Sequence, residues 1–182
     1  MSELRDKIIE FNNKKGKAIS ERYMEFRTRD DGLVLWAVPG HFATSQSHIN
    51  YYIDVTSMKV RLKEAKAAAR EMRHNIMHDI DTIDTIVCMD GTEVLGAFLA
   101  QELEKGDFQM TNAHETIYIC QPEENSVHQF MFRENVKPAI QGKNVIVLVD
   151  TASTGETVRR SADCIEYYGG KTVGVGGGEV SL

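Results

Sequence analysis

Apolar positions along the chain return at two spacings, and the alternation between them predicts the architecture. Over residues 57–80, Met58, Leu62, Ala65, Ala69, Met72 and Ile76 recur at steps of four and three, with mostly charged or polar residues between them. That spacing predicts an amphipathic helix burying one stripe. A short apolar run at 85–89 (TIVCM) predicts a buried strand. Helical spacing resumes over 92–105 through Val94, Leu95, Phe98, Leu99 and Leu103, with Gly106 where a helix should stop. Residues 116–120 (TIYIC) predict a second strand and 144–149 (NVIVLV) the strongest strand of the chain. A helix over 155–168, closed by Gly169-Gly170, and a last strand at 171–175 complete the pattern. Strands this apolar are buried on both faces, so the order predicts an α/β fold: a mainly parallel sheet flanked by helices.

The remaining segments are less regular. Residues 3–14 predict a short amphipathic helix through Leu4, Ile8 and Phe11. Residues 18–39 hold two stretches around Asp30-Asp31-Gly32, a hairpin turn by composition. Polar residues then surround the pair Tyr51-Tyr52, and 121–143 is a polar, mixed excursion. No repeat or linker divides the chain, so one domain is expected.

Composition narrows the classes. A length of 182 residues and 42% apolar content suit one folded domain and exclude global disorder. Lys plus Arg number 21 and Asp plus Glu 27, for a net charge of −6, and no basic stretch stands out. A general nucleic-acid coat protein is thereby excluded. An acidic chain can still bind a phosphorylated small molecule through local amides and metal. Cys88, Cys120 and Cys164 are far apart and form no CxxC. They read as buried thiols of a reducing compartment rather than disulfides or a zinc knuckle. No run reaches the ~18 apolar residues of a membrane span, and the charged start MSELRDKIIE is no signal peptide. A cytoplasmic protein is expected.

Ligands of an open parallel sheet sit beyond the carboxyl ends of its strands. Two such ends are unusual here. Met89-Asp90-Gly91-Thr92 joins a strand to a helix, and so does Asp150-Thr151-Ala152-Ser153-Thr154-Gly155-Glu156-Thr157. In the second, Gly155 lets the backbone approach a ligand and the amides of residues 154–157 point out of the helix start, an anion site aided by the helix dipole. Hydroxyls of Ser153, Thr154 and Thr157 can add hydrogen bonds, or simply cap the helix. Asp150 is placed to accept hydrogen bonds from sugar hydroxyls. A phosphate beside a hydroxyl-binding carboxylate suggests a ribose 5-phosphate.

NVIVLVDTASTGET resembles the phosphoribosyl-diphosphate (PRPP) signature of the type I phosphoribosyltransferases: an apolar run, two acids, two variable residues, then Thr/Ser-Thr/Gly-Gly-x-Thr/Ser. Gly40-His41-Phe42, with Ser45 to Asp54 (SQSHINYYID), is similar to the N-terminal segment of the orotate phosphoribosyltransferases, which lies over the base pocket. The resemblance implies a PRPP-binding core over 57–182 and a base-side segment over 1–56. It implies transfer of ribose 5-phosphate from PRPP to a nucleobase, orotate or a related pyrimidine, with release of pyrophosphate. Ser153, Thr154, Gly155, Glu156 and Thr157 would bind the 5-phosphate, and Asp150 and Thr151 the ribose. Met89, Asp90, Gly91 and Thr92 would form the pyrophosphate loop, and Phe42, Tyr51 and Tyr52 would flank the base. Mg2+ is implied as cofactor, held mainly by PRPP and water with no direct protein ligand, and a homodimer is implied as the assembly.

Departures from the pattern are specific. Thr151 replaces the second acid, and Gln46, Ile49 and Asn50 alter the base segment. The family's Arg-Lys pair after the second strand is replaced by Gln121-Pro122-Glu123-Glu124, and His128 precedes Gln129 rather than Gly. Arg133 and Lys137 are the remaining basic candidates for catalysis in the excursion. A second reading follows: a PRPP- or nucleotide-binding regulator that keeps the phosphate loop without the cations. The chain also ends soon after its last predicted strand, where family members commonly run on. Other motifs carry less. Asp-Gly-Thr lacks the earlier Asp of a haloacid-dehalogenase phosphatase, since Cys88 stands there. His74 and His78 read as a solvated face, and Gly174-Val175-Gly176-Gly177-Gly178 as a flexible end with no helix to follow.

Overall fold

The computed structural model describes residues 23–27, 34–43, 48–76, 82–89, 91–105, 116–152 and 155–179. The expected helix over 3–14 and the turn at Asp30-Asp31-Gly32 lie outside them. Two compact units divide between Thr56 and Ser57.

The first unit is a three-stranded antiparallel sheet of β1 (Met24–Arg27), β2 (Val34–Ala43) and β3 (His48–Asp54), in that order. Met24 lies opposite Ala37, and Arg27 opposite Val34. The β2–β3 ladder pairs Pro39 with Tyr51, then shifts register so that Phe42 meets Ile49. The strands around 30–32 therefore form the expected hairpin, and the Tyr51-Tyr52 segment adds a third strand to it.

The second unit carries a parallel sheet. Its elements are α1 (Thr56–Val60), α2 (Leu62–Ile76), β4 (Thr85–Cys88), α3 (Glu93–Leu103), β5 (Tyr118–Cys120), β6 (Glu123–Glu124), β7 (Phe130–Met131), a 3-10 turn (Lys137–Ala139), β8 (Asn144–Ala152), α4 (Glu156–Tyr167) and β9 (Lys171–Glu179). The sheet order is β5-β4-β8-β9 and every pairing in it is parallel. Ile86, Val87, Cys88 and Val145 to Leu148 are fully buried, as strands covered on both faces must be. On one face Val87, Met89, Val145, Val147 and Val149 cluster with Cys164 and Ile165 of α4. On the other, Gly96 of α3 stands directly against the Cys88 thiol, with Ile86 and Ile119 beside it. Burial pushes the Cys88 thiol up to about 12 and those of Cys120 and Cys164 up to about 11.

Three expectations are corrected. The single helix over 57–80 is interrupted at Arg61, and its residues 77–80 lie outside the described set. Its buried surface is also smaller-grained than the stripe suggested. Leu62 is 59% exposed, whereas Ala65, Ala67, Ala68 and Ala69 are buried. Alanines let the helix approach its neighbours closely, which the longer Leu62 at the helix start does not need to do. The excursion over 121–143 holds an antiparallel hairpin, Glu123 opposite Met131 and Glu124 opposite Phe130. Strands of two residues leave no periodicity to read. Finally, 174–178 is no flexible end, because β9 continues to Glu179 along β8. A Cβ on Gly176 would stand 2.7 Å from the Leu148 side chain, and one on Gly177 2.7 Å from the Val149 carbonyl oxygen. The glycines are there because the backbones pack too closely for side chains.

Candidate functional site

The carboxyl ends of β4 and β8 are adjacent and locked together. The Leu148 carbonyl accepts the Met89 amide at 2.8 Å and the Thr92 hydroxyl at 3.3 Å. The Thr92 amide in turn donates to the Met89 carbonyl at 3.1 Å, closing a tight turn in which Gly91 takes φ +79°. Left-handed backbone of this kind favours glycine. Met89 and Thr92 are buried, so they pin the turn, and exposed Gly91 presents backbone. Asp90 lies outside the described residues.

Asp150 owes its place to an irregularity in the ladder. Leu148 lies opposite Gly176 and Thr151 opposite Gly178, so β8 spends one more residue than β9 over this stretch. Such a bulge re-aims a side chain at a strand end. The strand, expected to stop at 149, runs on through Asp150 and Thr151 to Ala152. The Asp150 carboxylate accepts a hydrogen bond from Lys59 Nζ at 2.8 Å, with both side chains only 21% exposed. The same ammonium stands 4.0 Å from where a Cβ on Gly91 would be. Lys59 thus bridges the two turns the sequence singled out. The sequence pattern missed it, because a lysine between apolar helical positions reads as solvated surface. Its helix, which ends before Arg61, was not separable in the sequence from the longer one that follows, so no signal there pointed to it.

Beyond β8, Ser153 and Thr154 lie outside the described residues. Gly155 begins α4 in the left-handed region at φ +72°, with no side chain capping the helix. Among the described residues nothing lies within 4 Å of where a Cβ on Gly155 would stand, so none of them fills the space beside it. The Glu156 carboxylate turns to Arg159 at 2.8 Å, which holds it below the usual glutamate range. Only the amide of Glu156 can serve an anion. Thr157 uses its carbonyl to accept the Ser161 hydroxyl at 2.7 Å.

The two basic candidates of the excursion part company. Arg133 follows the β6–β7 hairpin, which leaves the carboxyl end of β5, and its guanidinium pairs with Glu123. Lys137 belongs to the opposite edge. Its 3-10 turn is tied by Ala139 to Thr85, the first residue of β4. Its ammonium pairs with Glu134 at 2.6 Å and lies over the Tyr168 ring at 5.5 Å. The structure does not bring Lys137 to Asp150. Glu124 is likewise neutralised, by Arg160 at 2.8 Å, and the Arg160 guanidinium stacks on the Phe130 ring at 4.3 Å and donates to the His128 carbonyl. The acids that would repel a diphosphate are thereby matched with cations. Arg160 holds the Glu124 carboxyl below its ordinary value of 4.5. The clamp is therefore complete above that value and is lost as pH falls through the lowered one. The backbone amides of Glu124, His128 and Phe130 are expected to share one acidic titration step, and that shared step is expected to be missing in Glu124→Gln.

Phe42 and Tyr52 stand together on the three-stranded sheet, ring centroids 5.9 Å apart, and Tyr52 is 44% exposed. Tyr51 points to the other face of β3, opposite Pro39. Among the described residues no three His, Cys, Asp or Glu side chains gather to hold a metal ion. No helix there is long and apolar enough to cross a membrane.

No protein-family profile matches the chain, and no curated protein sequence does. Solved structures do. The orotate phosphoribosyltransferase of Mycobacterium tuberculosis H37Rv in complex with inorganic phosphate superposes with a TM-score of 0.51 at 16% identity, over 78% of this chain and 73% of its own. The same enzyme in complex with PRPP gives a TM-score of 0.50 at 16% identity, over 69% of this chain and 66% of its own. A phosphoribosyltransferase from Corynebacterium diphtheriae gives 0.50 at 15% identity, over 94% and 82%. The fold is that of the type I phosphoribosyltransferases, as the signature over 145–157 implied.

Proposed function

From a chain with the fold of the type I phosphoribosyltransferases, we propose a PRPP-dependent enzyme that transfers ribose 5-phosphate to a nucleobase and releases pyrophosphate. The observation that carries the reading is Asp150, turned by the bulge of β8 toward Lys59 and the Gly91 turn, with the start of α4 five residues on. In this reading the amides at Gly155 to Thr157 hold the 5-phosphate, Asp150 holds the ribose hydroxyls, and the Gly91 backbone faces the diphosphate. The C1–O bond to pyrophosphate breaks with its electron pair going to the leaving oxygen, and a ring nitrogen of the base bonds to C1 as its N–H proton passes to the pyrophosphate or to water. Little nucleophilic chemistry is asked of the protein. It aligns the partners and stabilises the charges that separate, Asp150 facing the cationic sugar.

The donor set bears on Mg2+. Among the described residues, Asp150 is the carboxylate at the ends of β4 and β8, and it already faces an ammonium. That fits an ion carried on the diphosphate and ribose oxygens of the substrate rather than in a protein cage. Bound there, Mg2+ would neutralise the diphosphate and make it a better leaving group. For the acceptor we propose orotate or a related pyrimidine, flanked by Phe42 and Tyr52 on one face of the three-stranded sheet, with Tyr51 on the other face, and for the assembly a homodimer. Arg133, on the hairpin beyond β5, is the excursion's candidate for the diphosphate. A regulator that binds PRPP without turning it over is the second reading, favoured by the commitment of Arg133 to Glu123 and Arg160 to Glu124.

Pyrophosphate release from PRPP with Mg2+, across a panel of bases including orotate, tests the proposal. Base-dependent release is expected. PRPP binding without release with any base would select the regulator, and a protein that does not bind PRPP would overturn both.

A further inference from the structure

Lys59 occupies a position that neither the signature nor the excursion accounts for. It is carried by α1, outside every motif of the PRPP loop, yet its ammonium lies between the Gly91 turn and the Asp150 carboxylate. Of the cations near the carboxyl edge, Arg133 and Arg160 are committed to Glu123 and Glu124, and the residues directly after β5 are Gln121 and Pro122. Lys59 is bound to the very acid that, on the reading above, must face the ribose.

We propose that Lys59 is the cation that receives the diphosphate of PRPP, and that it does so by exchanging partners. Without ligand, Lys59 neutralises Asp150 across 2.8 Å. A carboxylate with only about a fifth of its side chain exposed is costly to leave unpaired. PRPP brings a diphosphate of several negative charges to the Gly91 turn, within reach of the flexible lysine stem. A group of that charge outbids a single carboxylate for the ammonium. The move frees Asp150 for the ribose hydroxyls and for the cation that develops at C1. No proton is transferred. As C1–O breaks, the electron pair goes to pyrophosphate, and Lys59 offsets the added charge on the leaving oxygen. One ligand thus sets both charges in their working positions, and an empty site keeps them mutually neutralised.

The proposal rests on the PRPP reading of this site, and the test separates the two. Full-length wild type, Lys59→Ala, Lys59→Arg and Asp150→Asn are titrated by calorimetry with pyrophosphate, ribose 5-phosphate and PRPP, each with Mg2+. Lys59→Ala is expected to weaken pyrophosphate and PRPP about 100-fold, the loss typical of a truncated charged contact. Ribose 5-phosphate should bind Lys59→Ala as tightly as wild type or tighter, since Asp150 is released. Lys59→Arg should recover most of the pyrophosphate affinity, and Asp150→Asn should tighten pyrophosphate binding by removing the carboxylate that competes for the ammonium. Lys59→Ala binding pyrophosphate like wild type would overturn the proposal. So would equal loss of pyrophosphate and ribose 5-phosphate, which marks a structural role. Should Lys59→Ala fail to fold, an Asp150→Asn protein that binds pyrophosphate no tighter than wild type overturns it equally. Wild type that binds neither PRPP nor ribose 5-phosphate would instead sink the PRPP reading itself.

Discussion

Asp150→Asn is expected to lower PRPP turnover by roughly 10²–10³-fold while leaving the protein folded. The asparagine keeps the size of the side chain and its hydrogen-bonding oxygen, so the bulge between Leu148 and Thr151 can persist. What disappears is the negative charge facing C1 when the sugar becomes cationic. Because that charge acts in the transition state, the loss should fall on kcat and kcat/KM together, with a smaller change in PRPP affinity. Steady-state kinetics beside a calorimetric Kd separates the two. Unchanged kcat would mean that Asp150 serves only to hold Lys59. The expectation also complements the pyrophosphate titration: the same variant should bind the product more tightly and make it more slowly.

Gly177→Val is expected to be the most damaging single change in the parallel sheet, costing about 3 kcal/mol or more. A Cβ at Gly177 would stand 2.7 Å from the Val149 carbonyl oxygen and 2.8 Å from its side chain. A backbone carbonyl in the central strand cannot step aside without opening the ladder. Gly176→Ala is the milder comparison, since its Cβ meets the end of the Leu148 side chain, which can turn. For a chain of this size each kcal/mol lowers Tm by about 2–4 °C. Thermal unfolding should therefore rank Gly177→Val below Gly177→Ala, and Gly177→Ala below Gly176→Ala. Equal midpoints for all three would show that β9 does not hold this close approach in solution. Damage to β9 also reaches the site, because the Gly176-to-Gly178 stretch sets the register that places Asp150.

Where one kind of order dominates, the residues announce it. The run at 144–149 is apolar at nearly every position, and only a strand covered on both faces uses such a run within so short a length. The same holds for 85–88, and the helices between follow from their periodicity. Gly155 and the hydroxyl-rich residues before it stand out in the sequence because anion binding by backbone favours those residue types. The failures have equally physical causes. Glycine serves both loose ends and very close packing, so 174–178 was ambiguous until Val149 and Leu148 were placed beside it. Glu123 and Glu124 look hostile to a diphosphate in sequence, because their partners Arg133 and Arg160 stand 10 and 36 residues away. Lys59 and Asp150 are separated by 91 positions, and no local pattern encodes a pair at that distance. The scaffold is written in local repetition, whereas the charges around the site are matched across the fold.

The pairing of β4 with β8 has a consequence for how the chain comes into being. Thr85 lies beside Val145 and Cys88 beside Leu148, so the middle of the parallel sheet stays open until residues 144–152 have left the ribosome. The antiparallel strands β1 to β3 pair with near neighbours and can close early, as local contacts form fastest. Until β8 emerges, the edge of β4 away from β5 has no partner, and a nascent chain is most prone to aggregate in that interval. The turn at Gly91 and the acid at Asp150 acquire their shape late, when β8 docks beside β4 and β9 then follows along β8.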